Sequence, residues 1–336
     1  MTEAKTRHPD PADADAKDAE IPAEDAPDTP SELNRASWWG VLKRTAKEFQ
    51  NDDLIDWAAA LTYYSVLSIF PGLLVLASVL GLAGQGATQP LIDNLTAIAP
   101  GAARDILTGA ARGLQQSGDT AGILAVVGLL GALWSASAYV GAFMRASNVV
   151  YDVREGRPIW KTLPIRLAIT VVTGVLLGAS ALAVVLTGRL AEQIGALLGI
   201  GSTAVTIWDI AKWPVLAVLI GLLFALLYWA SPNVKQDGFR WVTPGSALAV
   251  VLWVLASAGF AFYVSQFASY NKTYGTLGGV IIFFVWLWIS NIAVLLGAEF
   301  DAEMQRARAI AAGHPPCEEP FMELRDTRAL DDPDNC

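Results

Sequence analysis

The sequence predicts an all-α integral membrane protein, a bundle of six transmembrane helices with short amphipathic helices and disordered acidic tails. Three observations lead to this prediction. Charged residues make up 16% of the 336 residues, against about a quarter in a typical soluble domain. Six apolar segments are long enough to cross a bilayer, which takes about 20 residues. None of the six carries Asp or Glu in its interior, where a charge would cost about 2.5–3.5 kcal/mol.

The chain opens with an acidic tail and an amphipathic segment. Residues 1–34 hold ten acidic and three basic side chains and no apolar run. They cannot bury enough surface to offset the entropy of ordering, so we predict that they are disordered. Residues 35–50 are expected to form a helix with Trp38, Leu42 and Phe49 on one face. This helix either lies on the membrane surface or docks on the ends of the spans.

The apolar segments belong to a membrane domain that we place at 35–306. The predicted spans are roughly Ala58–Gly84, Gly122–Met144, Ile165–Thr187, Ala211–Ser231, Thr243–Ala268 and Gly278–Ala298. Six spans leave both termini on the same side of the membrane. Lys and Arg near the span ends number thirteen on that side and five on the other, so the positive-inside rule places both termini in the cytoplasm.

Two regions outside the spans differ in character. The connection at 85–121 has apolar residues at helical spacing on both sides of Pro100 and Gly101, which predicts two short amphipathic helices outside the membrane. The C-terminal tail, 307–336, is polar, and residues 301–336 hold nine acids and four bases. We expect the last twenty or so residues to be disordered, like the N-terminal tail.

Polar side chains inside the first, second and sixth spans form a candidate polar seam. Its members are Tyr63, Tyr64, Ser65, Ser68, Ser135, Ser137, Ser290 and Asn291. Polar groups within a membrane span usually face the bundle interior or a cavity. The seam is therefore either a set of hydrogen bonds between helices and to their own backbone, or a path for a polar substrate.

Eight residues at the cytoplasmic ends of the predicted spans form a candidate charged collar. They are Asp53, Asp56, Arg145, Asn148, Asp152, Arg166, Glu299 and Asp301. Opposite charges near the interface are expected to pair, because partial burial makes lone charges costly. The collar is then either a set of ion pairs that locks the helix ends, or a gate or head-group site. In the second case Arg145 and Arg166 suit an anionic phosphate, since guanidinium binds phosphate well.

Several function classes have little support in the sequence. The only histidines, His8 and His314, and the only cysteines, Cys317 and Cys336, lie in the polar tails, whereas a zinc-dependent nuclease needs several ligands in one scaffold. There is no Walker A sequence, no dinucleotide-binding glycine fingerprint and no Ser/His/Asp set. The sequence also shows no basic nucleic-acid surface. We expect no enzyme, no metal or other cofactor and no nucleic-acid partner.

Three stretches carry a resemblance to a known family. They are DLIDWAAALTYYSVLSIFPGLLVL, LWSASAYVGAFMRASNVVYDVREGRP and YGTLGGVIIFFVWLWISNIAVLLGAEFDAE. Over roughly residues 36–306 the chain resembles the YihY/virulence factor BrkB family of bacterial inner-membrane proteins. The resemblance implies a six-span helical bundle in that membrane. Members have been labelled ribonuclease BN, and they have also been discussed as transporters and as helpers in envelope lipid movement.

We therefore expect a multi-pass bacterial inner-membrane protein that is a transporter or a lipid-translocation factor, with its substrate passing along the polar seam. Its predicted partners are membrane lipids. The alternative is a non-transporting scaffold that recruits envelope proteins through its acidic tails. A ribonuclease is disfavoured, because both histidines lie in the tails. The sequence pattern sets no oligomeric state.

Overall fold

The computed structural model describes residues 35–82, 121–185, 202–236, 238–239, 241–266, 271–316 and 318–330. Seven α-helices account for most of them. They are α1 (Arg35–Asn51), α2 (Leu54–Leu82), α3 (Ala121–Val150), α4 (Ile159–Val185), α5 (Ser202–Ala230), α6 (Pro244–Gln266) and α7 (Asn271–Ala311). Extended pairing in the described ranges is confined to an isolated bridge between Val234 and Leu324. The described part of the chain is therefore all-helical.

The outer faces of the helices are too apolar for a water-soluble bundle. Four described stretches are long and apolar enough to cross a membrane, namely Ile159–Val184, Thr206–Ala230, Pro244–Val264 and Gly278–Ala311. Large apolar side chains lie exposed along them: Val175 of α4 is 64% exposed, and Ile210 of α5 is 70% exposed. Soluble monomers rarely expose contiguous apolar surface on this scale. The chain is a membrane protein.

Helices α2 and α3, of 29 and 30 residues, correspond to the other two predicted spans. The described apolar part of α2, Leu54–Ile69, is shorter than the four stretches above. The disordered tail predicted at 1–34 lies outside the described residues, and so do the two short helices predicted at 85–121, apart from the residue that begins α3.

One end of the bundle is polar. It consists of α1, the turn between α1 and α2, the loop between α3 and α4, the link between α5 and α6, and the last turns of α7. We call it the polar end. The predicted collar residues belong to it, because α2, α4 and α6 begin there and α3, α5 and α7 end there.

Helix α1 docks on the end of α7. Val41 is fully buried and packs with Phe300, and Arg44 Nε donates to Glu303 Oε2 at 2.6 Å. Leu42, which the sequence analysis placed on the apolar face, is 46% exposed. The other two predicted residues, Trp38 and Phe49, do pack against the bundle, so the buried face differs from the predicted one mainly in having Val41 in place of Leu42. Of the two alternatives for this helix, docking on the spans agrees with its contacts.

Helices α6 and α7 approach each other closely at two glycines. A Cβ placed on Gly245 would lie 2.1 Å from the carbonyl oxygen of Gly297. Asp301, one turn after Gly297, accepts a hydrogen bond from the Gly245 N–H at 2.7 Å. Small residues allow such backbone contact between membrane helices, and the carboxylate satisfies a free N–H in the first turn of α6.

Residues 318–330 cross the polar end, and we call them the C-terminal strap. Asn233 Nδ2 donates to the Asp326 carbonyl at 2.8 Å, and Asn233 Oδ1 accepts from the Asp326 N–H at 3.2 Å. Lys161 Nζ donates to Asp326 Oδ2 at 2.8 Å. This hydrogen bond holds the pKa of the Asp326 carboxyl below its ordinary value. The strap thereby joins the start of α4 to the link between α5 and α6.

The predicted disorder of the C-terminal tail is wrong for this strap. Phe321 stacks on Tyr151 with ring centroids 6.0 Å apart, and the Lys235 N–H donates to the Glu323 carbonyl at 2.8 Å. The tail is polar, but its backbone and one aromatic ring find partners in loops that are distant in the sequence. The amino-acid composition of the tail does not reveal such long-range contacts.

Candidate functional site

A half-open cavity of about 420 Å³ lies where helices α2 to α7 meet. Each of the six helices contributes to its wall. Residues with polar side chains in this wall are Ser65, Ser68, Tyr139, Thr170, Thr173, Trp253, Ser290 and Asn291. The rest of the wall is aliphatic or aromatic apart from two small residues, with leucines of α4, α5 and α7 prominent. The space is therefore mainly apolar with scattered hydroxyl groups.

Most hydroxyl groups in the cavity wall are already engaged with their own helix. Ser65 donates to the Leu61 carbonyl at 2.9 Å, and Ser290 donates to the Trp286 carbonyl at 2.8 Å. Each of these oxygens keeps lone pairs, while its proton is used inside the helix. Thr173 Oγ1 is buried without a hydrogen-bond partner among the described residues. Such a wall favours an apolar guest with few polar atoms over a bare ion.

A short hydrogen-bond chain ties three of the helices at the cavity. Asn291 Nδ2 donates to Thr62 Oγ1 at 3.1 Å, and Tyr139 donates to Asn291 Oδ1 at 3.1 Å. This chain fixes the depth of α7 against α2 and α3. Two buried partners also explain why an asparagine is tolerated within an apolar span.

The structure brings half of the predicted polar seam to the cavity. The four residues there are Ser65, Ser68, Ser290 and Asn291. The other four lie elsewhere: Tyr63 is 60% exposed, Tyr64 packs against it with ring centroids 5.4 Å apart, and Ser135 and Ser137 hydrogen-bond within α3.

The predicted seam lacks four polar residues of the cavity wall. Tyr139 lies on α3, Thr170 and Thr173 lie on α4, and Trp253 lies on α6. A usable signal existed for the threonines, since Thr170 follows Arg166 by one helical turn and Thr173 follows Thr170 by three residues, which places all three on one face. Trp253 gives a weaker signal, because its ring is apolar apart from one N–H, although Ser257 follows it by one turn.

The charged collar is not a set of ion pairs. Among the ion pairs in the described residues, none joins two of the eight collar members. Asp53, Asp56, Arg145 and Asp152 are exposed, Arg166 is half-buried, and Asn148, Glu299 and Asp301 are buried. The pairing interpretation is therefore wrong, because the acids and bases that share this end have other partners or lie in water.

Three collar residues have roles in the local fold, which account for the presence of an acidic side chain at each position. Asp53 and Asp152 adopt positive φ angles of 51° and 50° in the turns after α1 and α3, a conformation that Asp tolerates better than most residues. Asp301 binds the first turn of α6, as described above. A fourth, Asn148, accepts the Asn233 N–H at 2.8 Å and donates to Glu155 at 3.0 Å. These four residues therefore contribute to the fold of the polar end.

The two collar arginines lie close enough for their charges to interact, and Arg166 is one helical turn from the cavity wall. Arg166 Nη2 donates to Ser137 Oγ at 2.7 Å, while its Nε is buried with no hydrogen-bond partner among the described residues. Its guanidinium is partly buried, and the like charge of Arg145 acts on it. Thr170, one turn further along α4, lines the cavity. Arg145 is exposed and has no carboxylate partner in the described part of the chain. The pair offers positive charge to an anion at one end of the cavity.

An acidic cluster, which sequence analysis only partly anticipated, surrounds Glu299. Its other members are Glu48, Asp52, Asp152 and Glu303. Asp52 lies in the turn between α1 and α2 and is half-buried. Burial, together with the negative charges of Asp152, Glu48, Glu303 and Asp53, raises the pKa of Asp52 to about 7. The acidic side chains of the cluster therefore repel one another at neutral pH, and this repulsion destabilises the folded state.

Asp52→Asn is expected to stabilise the protein at about pH 8 and to have a smaller effect at about pH 5. The folded state holds a proton on Asp52 up to about pH 7, whereas an unfolded Asp loses it near pH 3.9. Stability therefore falls as the pH rises between these values. Solvent screening of this half-exposed group keeps the expected gain to a few °C in Tm.

Thermal unfolding of purified protein in detergent, followed by tryptophan fluorescence at both pH values, measures this difference. Asp56→Asn removes an exposed carboxyl at the same end of the bundle and serves as the matched control. An equal change in Tm for the two variants at both pH values would contradict the assignment of repulsion to Asp52.

Comparisons with known proteins identify the family of this chain and agree with its membrane character. The family model described as virulence factor BrkB matches residues 45–320. The chain belongs to the virulence factor BrkB family. It is 32% identical over 264 residues to a protein of Bacillus subtilis (strain 168) named ribonuclease-like protein YfkH, covering 77% of this chain and 92% of that one. It is 30% identical over 261 residues to a UPF0761 membrane protein of Vibrio vulnificus (strain YJ016), covering 74% and 76% of the two chains.

Other members of the BrkB family are longer than this chain. A UPF0761 membrane protein of Alkalilimnicola ehrlichii is 29% identical over 290 residues, which is 80% of this chain but 59% of the relative. No solved structure matches. Within the described residues of this BrkB-family protein, no group of three or more His, Cys, Asp or Glu side chains is placed to hold a metal ion. That the protein is not an enzyme stays a prediction.

Proposed function

We propose that this BrkB-family protein is a six-span protein of the bacterial inner membrane, with both termini in the cytoplasm, that moves a lipid or a similarly amphipathic substrate. The observation that supports this most is the cavity at the junction of α2 to α7. Its wall is mainly apolar, and its hydroxyl groups are largely satisfied within their helices. Acyl chains suit such a space better than sugars or ions, because they leave no polar atoms to satisfy.

The arginine pair adds the second half of an amphipathic site. Arg145 is exposed, and Arg166 has one unpartnered N–H. A phosphate between them would accept hydrogen bonds from two guanidinium groups, which bind phosphate strongly and in a fixed geometry. Head group and acyl chains would then lie in adjoining regions, at the polar end and in the cavity. This arrangement fits an anionic phospholipid.

Filling the cavity tests this proposal directly. A Cβ on Gly174 would meet nothing within 4 Å, and Gly174 lines the cavity. Gly174→Leu should therefore occupy the space without disturbing the backbone. Gly178→Leu, one turn further along α4, is the matched control, since its Cβ also meets nothing within 4 Å and Gly178 is not part of the wall.

The measurement uses purified protein in liposomes that carry a fluorescent phospholipid in both leaflets, with an impermeant quencher added outside. Wild type and Gly178→Leu should expose the inner-leaflet probe within the assay, and Gly174→Leu should slow this at least tenfold. Arg145→Ala should slow an anionic probe more than a zwitterionic one. If folded wild type exchanges neither probe, the lipid proposal fails, and the scaffold hypothesis becomes the stronger one.

A further inference from the structure

The carboxyl group of Glu299 is buried on α7, and no hydrogen bond to it is seen among the described residues. The residue is 1% exposed, and its Oε2 has no hydrogen-bond partner among the described residues. The two neighbouring acids on the same helix are different. Glu303 accepts a hydrogen bond from Arg44 at 2.6 Å, and Asp301 accepts one from the Gly245 N–H at 2.7 Å. In the described part of the chain, Glu299 therefore differs from these two acids in having no hydrogen-bond donor for its Oε2.

The surroundings of Glu299 are mostly acidic. The titratable and charged groups of the elements packed around it are Arg44 and Glu48 on α1, Asp52 in the following turn, Tyr151 and Asp152 after α3, and Asp301, Glu303 and Arg306 on α7. The two arginines pair with Glu303: Arg44 Nε lies 2.6 Å from Glu303 Oε2, and Arg306 Nη1 lies 3.8 Å from Glu303 Oε1. No base in the described residues pairs with Glu299 itself.

An ionised carboxylate in this place would be costly for two reasons. Burial removes its hydration, and the nearest charges that act on it are negative, so neither desolvation nor repulsion is offset. A metal ion could offset both, but no group of three or more His, Cys, Asp or Glu side chains in the described residues is placed to hold one. A proton needs only one oxygen and neutralises the charge at once. The ligand that fits is a proton.

We propose that Glu299 is a proton-binding site of this protein, and that Asp52 exchanges the proton between Glu299 and water. Asp52 is half-buried, so it contacts the solvent, and its charge acts on Glu299. Its pKa of about 7 allows it to accept and release protons at neutral pH. Loss of the proton would place a new negative charge beside Glu303 and Asp52. It would thus loosen the docking of α1 on α7. This inference does not depend on what the protein transports.

Infrared difference spectroscopy of the full-length protein tests the site. A protonated carboxylic acid has a C=O stretching band that a carboxylate lacks. We expect acid bands of this kind at about pH 7 in the wild type, with contributions from both Glu299 and Asp52. One of these bands should be lost in Glu299→Gln and retained in Asp56→Asn, which removes an exposed carboxyl at the same end. The proposal is overturned if wild type and Glu299→Gln show the same acid bands.

Thermal stability gives a second measurement in the same preparation. Gln is neutral and close in shape to protonated Glu, so Glu299→Gln should unfold at the wild-type Tm or above it at about pH 7. If Glu299 is instead ionised and paired with a cation, the variant should unfold at a clearly lower Tm, and sodium or magnesium chloride should stabilise only the wild type. Asp52→Asn should retain the Glu299 band while slowing its hydrogen–deuterium exchange. Unchanged exchange would overturn the role of Asp52.

Discussion

Replacing Gly297 with alanine is expected to prevent the native packing of α6 on α7. The new Cβ would lie 2.6 Å from both the Gly245 carbonyl oxygen and the Tyr228 hydroxyl, and 2.7 Å from Ala249 Cβ. Two of these neighbours are a backbone atom and a helix-borne Cβ, which cannot move without their helices. Overpacking a core usually costs about 1–3 kcal/mol. We expect this variant to lie at or above the upper value, because three contacts clash at once.

The matched control for this prediction is Gly279→Ala in the same helix. A Cβ on Gly279 meets nothing within 4 Å, and alanine is favoured over glycine inside a helix by roughly 0.5–1 kcal/mol. The control should therefore unfold at the wild-type Tm or slightly above it. The Tm of Gly297→Ala should be lower by at least several °C, and a smaller fraction of this variant should elute as a monodisperse species in detergent. Similar thermal unfolding of both variants would show that the α6–α7 contact tolerates a methyl group.

The membrane character of the chain could be predicted because it depends on local composition. An uninterrupted apolar segment such as Gly278–Ala298 is readable without knowledge of its neighbours. The faces of these helices could not be predicted equally well. Helices that are apolar all round carry no periodic signal that points to the bundle interior. Ser65 and Ser290 were placed correctly because a serine hydroxyl within an apolar span is itself a polar signal, whereas the ring of Trp253 is apolar apart from one N–H.

The polar end shows where prediction from sequence fails. The sequence predicted that Arg166 and Asp301 lie at the same end of the spans. A shared depth in the membrane, however, does not determine which side chains form hydrogen bonds or ion pairs. Asp301 binds the first turn of α6, and Arg166 binds a serine on α3. The order of the C-terminal strap likewise depends on Asn233, which lies 93 residues before Asp326 in the sequence. Long-range partners of this kind are set by the tertiary structure.

The second prediction with a large expected effect concerns Glu155 in the loop between α3 and α4. Its two carboxylate oxygens accept hydrogen bonds from Arg157 Nε and Nη2, both at 2.7 Å. Arg157 is 3% exposed and also donates to the Ser231 carbonyl at 2.7 Å. Burial alone would raise the pKa of Glu155, but the hydrogen bonds and the charge of Arg157 outweigh it, so the pKa lies below its ordinary value. The pair is therefore ionised at neutral pH and stabilises the fold there.

Glu155→Ala is expected to destabilise the protein by about 3–5 kcal/mol, the usual cost of leaving one member of a buried ion pair without its partner. The stranded group is the Arg157 guanidinium, whose Nη1 already has no hydrogen-bond partner among the described residues. Asn148 would also lose an acceptor, and its bond to the Asn233 backbone holds the strap site in place. Thermal unfolding in detergent at about pH 7 measures the loss.

Two further variants separate the stranded charge from a loss of side-chain volume. Glu155→Leu combined with Arg157→Met removes both charges at similar size, and it should recover much of the stability that Glu155→Ala loses, because no charge is left buried and unpaired. Glu323→Ala breaks the exposed pair with Lys235 on the strap and should leave the Tm unchanged, since surface ion pairs contribute little. If the double variant is as unstable as Glu155→Ala, the carboxylate is needed for the hydrogen bonds of the loop itself, and the buried charge is not the main source of the effect.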